Sequence, residues 1–168
     1  MSTPLLEPGV TRAGEGRAWN ILGHTYWLKA WCPTSFAFET CDPPGSFIPA
    51  HVHHAEYEFI QLLQGRLDLQ VGDTWYHAEP GDLMRLPRGV AHAYYNNTDE
   101  PARTLFWLCP AGQLKELFDA IDSMSDIPEV CRLAAAIGVD FMPLVGPPRW
   151  PGGRGGAPGS SSVPARDG

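Results

Sequence analysis

Positive charge is scarce in this chain of 168 residues: 12 Lys and Arg stand against 19 Asp and Glu, a formal net charge of −7. Neither a phosphate backbone nor an anionic membrane surface suits such a balance, so nucleic acid and membrane are not expected as partners. Long apolar runs are missing as well. No segment approaches the roughly 18 uncharged apolar residues of a membrane helix, and residues 1–15 lack a basic start followed by an apolar stretch. A cytoplasmic location is the expectation. The four cysteines, Cys32, Cys41, Cys109 and Cys131, form no C-x-x-C pair. That argues against a disulfide framework or a thiolate metal site, and leaves them as small interior thiols.

What is present is apolar volume and turn chemistry. Apolar residues make up 43% and charged residues 18%, enough side-chain volume for one core, and 18 Gly with 17 Pro suit many short strands joined by turns. A single domain over residues 19–145 is expected, after an N-terminal extension, residues 1–18. Residues 146–168 hold seven Gly, five Pro and the run Ser160-Ser161-Ser162, which predicts a disordered tail.

Between Trp19 and Pro110, short apolar or alternating runs are broken by turn residues every 8 to 12 positions, the rhythm of a sandwich or barrel. Strands are expected near 25–31, 35–41, 57–63, 66–71, 74–77, 83–86, 91–96 and 103–109. Gly72-Asp73 reads as a two-residue hairpin turn, and Pro43-Pro44-Gly45, Pro80-Gly81-Asp82 and Pro87-Arg88-Gly89 as hard turns. The fold class is all-β. After Pro110 the period changes: Leu114, Leu117, Phe118 and Ile121, then Val130, Leu133, Ala134 and Ile137, follow i, i+3, i+4, i+7. Two short C-terminal helices follow the strands, to pack on the barrel's outside or on a second subunit, and Val139 to Val145 could dock as one more extended segment.

Four side chains carry the chemistry. His51 and His53 share a strand face by their i, i+2 spacing, Glu58 opens the next apolar run, and His92 follows the Pro87-x-Gly89 turn. Imidazoles with a carboxylate suit iron, nickel, cobalt, copper, zinc or manganese. Three strands converging in a small barrel can enclose one such ion and leave a position open. His54 reads as a surface or supporting residue, Glu56 as the substitute carboxylate, and His24 and His77 as structural.

The segments Gly45-x5-His51-x-His53-x4-Glu58-x6-Gly65 and Gly81-x5-Pro87-x-Gly89-x2-His92-x3-Asn96, 15 residues apart, resemble the two motifs of the cupin superfamily. The resemblance implies a double-stranded β-helix, or jelly-roll barrel, holding one divalent metal on His51, His53, Glu58 and His92. It gives Gly65 and Gly81 turn roles and lets Asn96 bond the backbone of a turn. With Cys109-Pro110-Ala111-Gly112 opening a helix and Ala136 to Phe141 closing the second, residues 19–148 are similar to single-domain bacterial quercetin 2,3-dioxygenase-like cupins. Gln61 and Gln64 depart from that subfamily's commonest wording.

That resemblance implies a metal-dependent dioxygenase cleaving a flavonol-like enol or phenol, with dioxygen as co-substrate, iron, nickel, cobalt, manganese or copper as cofactor, and a homodimer. Glu58 would serve as ligand and general base. Tyr94 shares the face of His92 and combines ring area with a hydroxyl, which makes it the catalytic candidate that touches substrate. Phe36, Phe38, Ile60, Leu62, Met84, Phe106 and Leu108 are expected around it, with Trp19, Trp27 and Trp31 sealing a lid or dimer contact. The alternatives are a non-oxidative isomerase, polyketide-type cyclase or lyase using the same ligands, and a small-molecule binding cupin without turnover.

Overall fold

The computed structural model describes residues 8–143, and the tail expected at 146–168 lies outside them. Eleven strands and two helices follow one another: β1 Ala18–Ile21, β2 His24–Cys32, β3 Ser35–Asp42, β4 Phe47–His53, β5 Tyr57–Gln64, β6 Leu67–Val71, β7 Thr74–Ala78, β8 Leu83–Leu86, β9 His92–Tyr95, β10 Ala102–Cys109, α1 Leu114–Ile121, α2 Ile127–Ala135 and β11 Val139–Phe141. One sheet runs β1-β2-β3-β10-β5-β8 and the other β11-β4-β9-β6-β7. This is the cupin double-stranded β-helix, with two short helices after the barrel.

Alternation builds the core. In β10, Ala102, Thr104, Phe106 and Leu108 are buried while Arg103, Leu105, Trp107 and Cys109 are half-buried on the outer face, as a period of two requires. Phe106 stacks on Phe38 of β3, centroids 5.0 Å apart, and Phe36, Ile60 and Leu62 are almost wholly buried beside them. Gly72-Asp73 makes the expected hairpin turn, with Val71 paired to Thr74. Gly65 has φ +84°, and a Cβ there would come within 2.8 Å of Ala102 Cα and Pro101 O; both the left-handed backbone and the close approach demand glycine.

Several expectations need correction. β1 and β4 were not among the expected strands, although His51 and His53 were placed on strand geometry, whereas β11 falls within the segment Val139 to Val145 expected to dock extended. β4 contains Pro49, and its pairing with β9 shifts register between Ile48 and His51; an imino acid at a bulge hides a strand from pattern reading. α2 begins at Ile127, three residues before the periodic Val130, where Asp126 caps it, its side chain accepting from Glu129 N. The four cysteines are free and half-buried, not interior. Trp19 is core, 1% exposed, and its indole N–H donates to Asp119 Oδ1 at 2.8 Å, pinning α1 to the barrel.

Part of the N-terminal extension is tied to β2 and β3. Lys29 Nζ donates to Arg12 O at 2.6 Å and to Glu15 O at 2.9 Å, while Glu39, held by Lys29 and Arg103, accepts from Gly14 N at 3.2 Å. Among the described residues no helix is long and apolar enough to cross a membrane.

Asn96 performs the turn-bonding role expected of it. The residue is fully buried; its Nδ2 reaches Asp42 O, Pro43 O and Glu100 O, and its Oδ1 accepts from Thr98 N and Thr98 Oγ1. Replacing Asn96 with Ala strands several buried polar groups at once, each costing about 1–3 kcal/mol. The expected result is a loss of about 3 kcal/mol in urea denaturation at unchanged m-value.

Candidate metal centre and its pocket

The four expected ligands converge. His51 and His53 stand on β4, His92 opposite His51 on β9, and Glu58 on β5 of the other sheet. All four are buried, and one donor atom from each lies within 4.8 Å of the others. Glu58 Oε2 is 3.1 Å from His53 Nε2 and 3.0 Å from His92 Nε2. Bonds of about 2.1 Å from one ion separate its ligands by roughly 3–4 Å, close to the separations of Glu58 from His53 and His92.

The backbone selects which nitrogen faces inward. His51 Nδ1 donates to Pro49 O at 2.9 Å and His92 Nδ1 to Val90 O at 3.0 Å. In the neutral ring each such bond places the proton on Nδ1 and leaves Nε2 the lone pair that a metal would take. His53 differs: its Nδ1 faces Glu56 Oε2 at 3.8 Å, and neither atom has a hydrogen-bond partner among the described residues.

The electrostatics ask for a cation. Burial opposes a charge on Glu58, yet the hydrogen bonds from His53 and His92 overcome it and hold the carboxyl well below the ordinary range. Burial likewise opposes charge on His53, but Glu56 and Glu58 outweigh it and lift the imidazole to about 9. His51, buried and beside His92 and His53, falls to about 3. One positive charge thus sits against Glu58, where a divalent ion can replace the proton. The donor set fits a borderline divalent transition metal.

Above the cluster opens a cavity that is almost wholly apolar. Phe38, Tyr94, Phe106 and Leu108 line it as expected, but Phe36, Ile60 and Leu62 are core residues beneath, and Met84 borders a separate cavity. The rest of the wall comes from parts not assigned to the pocket from sequence: Ile21, Tyr26 and Ile48, with Leu114, Leu117, Phe118, Ile121, Val130 and Ala134 of the helices and Val139 and Phe141 of β11. The helical pair roofs the barrel's mouth rather than its outside. The amphipathic faces showed that the helices pack, but carried no signal for the mouth over the outside. Beyond the ligands, the polar lining groups among the described residues are the tyrosine hydroxyls.

Tyr94 is 3% exposed, and its hydroxyl lies 3.4 Å from Asp42 Oδ1 beside Tyr26. Asp42, wholly buried, also takes His24 Nδ1 at 2.8 Å and Thr40 Oγ1 at 2.7 Å. Burial and the Asp42 charge push both tyrosines above their ordinary range, so they remain neutral. His24 is structural, as expected. His54 is exposed and bonds Asp140 at 2.8 Å; His77, also exposed, bonds Asp68 at 2.6 Å. Glu58 faces the cluster, so Glu56 is not called on as substitute ligand.

Fold and site together describe a cupin barrel with a buried cluster of three histidines and one glutamate. The cupin domain family matches residues 38–108, somewhat under half of the chain. The chain is 30% identical over 67 residues to the polyketide synthase CurC of Streptomyces cyaneus, covering 40% of this chain and 44% of that protein. It is 28% identical over 74 residues to protein SchB of Streptomyces halstedii, covering 44% and 54%. The chain thus spans about half the length of the curated relatives it matches. An RmlC-like cupin from Shewanella frigidimarina superposes with a TM-score of 0.55 at 15% identity, over 62% of this chain and 93% of that one.

Replacing His51 with Ala removes one ligand and its tautomer lock without touching Glu58. Elemental analysis is expected to find about one divalent metal per chain in the wild type and little in the variant; equal content in both would sink the ligand assignment.

Proposed function

We propose that the protein is a metal-dependent dioxygenase acting on a flavonol-like or related enol or phenol. The observation that carries this reading is the apolar cavity opening directly onto the cluster of three histidines and Glu58. No Lys or Arg lines that cavity among the described residues, which argues against phosphorylated or acidic sugars and for a planar apolar molecule.

His51, His53, Glu58 and His92 would hold the ion. When bound, it supplies Lewis acidity that lowers the pKa of a substrate hydroxyl and favours the oxygen anion. Glu58, which belongs to the cluster and also lines the cavity, is the carboxylate placed to accept that hydroxyl's proton. Phe38, Phe106, Leu108 and the helical roof hold the ring system and exclude water. Tyr94 and Tyr26 offer the wall's hydroxyls to a second substrate oxygen, with Asp42 and His24 fixing the position of Tyr94. With a flavonol and dioxygen, both oxygen atoms enter the products and one ring carbon leaves as carbon monoxide. A cytoplasmic homodimer is part of the same reading.

A second reading, non-oxidative cyclisation, isomerisation or lysis of a polyketide-type phenol, is favoured by the similarity to CurC, a protein named as a polyketide synthase. It uses the same ligands and the same pocket. Oxygen consumption with quercetin, compared across iron, nickel, cobalt, manganese and copper, separates the two. Uptake with loss of flavonol absorbance and release of carbon monoxide is the expected outcome; no uptake with a filled site, together with anaerobic turnover of polyketide-like phenols, would favour the second.

Tyr94→Phe removes one hydroxyl and keeps the ring. A lost hydrogen bond of about 1.4 kcal/mol raises KM roughly tenfold, with a smaller change in kcat. An unchanged KM would leave Tyr94 as packing alone.

A further inference from the structure

We infer that Glu56 is a positioning residue for the metal, acting through His53 and seated in space left open by the loop that leads into the helical roof. The inference rests on the metal reading of the four-residue cluster and adds a residue outside it.

Glu56 is a carboxylate only 3% exposed. Such a group is rarely buried unless it is paired, and its Oε2 has no hydrogen-bond partner among the described residues. The atom it faces, His53 Nδ1 at 3.8 Å, is buried and unpartnered too. Two orphaned atoms of complementary kind, pointing at each other a few tenths of an ångström beyond hydrogen-bond reach, form a pair that a small ring rotation closes.

The other two ligand imidazoles already have this partner. His51 and His92 give their Nδ1 protons to the carbonyls of Pro49 and Val90, so His53 is the one ring whose outer nitrogen is left to a carboxylate. A carboxylate at that place makes the ring a stronger donor than a carbonyl does, and fixes the tautomer with Nε2 inward. Glu56 has its own support. Gly112, between β10 and α1, has φ +55°, and a Cβ at that position would collide with Glu56 Oε1. The glycine leaves the space the carboxylate occupies, so the entry to the roof helix and the orientation of His53 meet at one side chain.

The test is cobalt(II) affinity, measured by competition with a chelator, together with the visible absorption of the bound cobalt and the melting temperature of the metal-free protein. Glu56→Ala is expected to weaken cobalt binding about 10–100-fold and shift the cobalt spectrum. Glu56→Gln, which keeps an acceptor oxygen and loses the charge, is expected to fall between Ala and wild type. A purely structural Glu56 lowers the melting temperature while the folded protein keeps wild-type affinity and spectrum, and that result overturns the inference. His51→Ala separates the two levels. If it loses cobalt while both Glu56 variants retain wild-type affinity, the inference alone falls; if the wild type takes up no cobalt, the metal reading falls with it.

Discussion

A carboxylate buried in an apolar barrel costs several kcal/mol unless opposite charge and hydrogen bonds meet it. Glu58 meets that requirement only because the two sheets are held face to face. It comes from β5 in one sheet, and its partners His53 and His92 come from β4 and β9 in the other. The same sheet pair is bridged by Asp42 of β3, which takes the hydroxyl of Tyr94 on β9, and by Asn96, which leaves β9 to bond the carbonyls of Asp42 and Pro43. These polar ties run through a core otherwise made of Phe, Leu and Ile. They give the sheets one relative position, which hydrophobic contact alone does not specify.

The two buried carboxylates divide the pocket's chemistry. Glu58 faces the inner nitrogens of His53 and His92 at 3.0–3.1 Å, so its environment suits positive charge, whether a proton or a cation. Asp42 is surrounded by hydroxyls and by His24, all donors, and its hydrogen-bonding capacity is filled within the protein. One carboxylate is therefore free to meet a cation and the other is spent on holding the fold. The difference arises from the strands that face them, since both residues point inward from the same sheet.

Legibility followed the range of the interactions. His51, His53, Glu58 and His92 were readable because strand parity and turn punctuation act locally, and the two motifs carry their own glycines. The β5-to-β10 region was readable for the same reason, down to the Gly72-Asp73 hairpin. β4 was hidden by Pro49 and its bulge, although the distortion that hides it also provides the carbonyl that orients His51. β11 is three residues long and exists because it pairs with β4, setting Phe141 opposite His51 and Val139 opposite His53. The support that Glu56 offers His53 depends on ring orientation and on space at Gly112, neither of which spacing reveals.

The helical roof shows where periodicity stops informing function. Leu114, Leu117 and Ile121 announce a buried face, but the pattern is indifferent to what lies beneath it. In the structure Phe118 meets the rings of Trp19, Tyr26, Phe36 and Phe38, with centroids 5.1–5.6 Å apart, so the roof docks by extending the aromatic core. Its lower surface is at once the contact that stabilises the helices and the wall of the cavity. A substitution that widens the pocket there also removes area that holds the roof down, at roughly 25 cal/mol for each Å² of apolar surface. Pocket shape and local stability are consequently one variable in this fold, and the roof's entry at Gly112 brings that variable up against Glu56 beside His53.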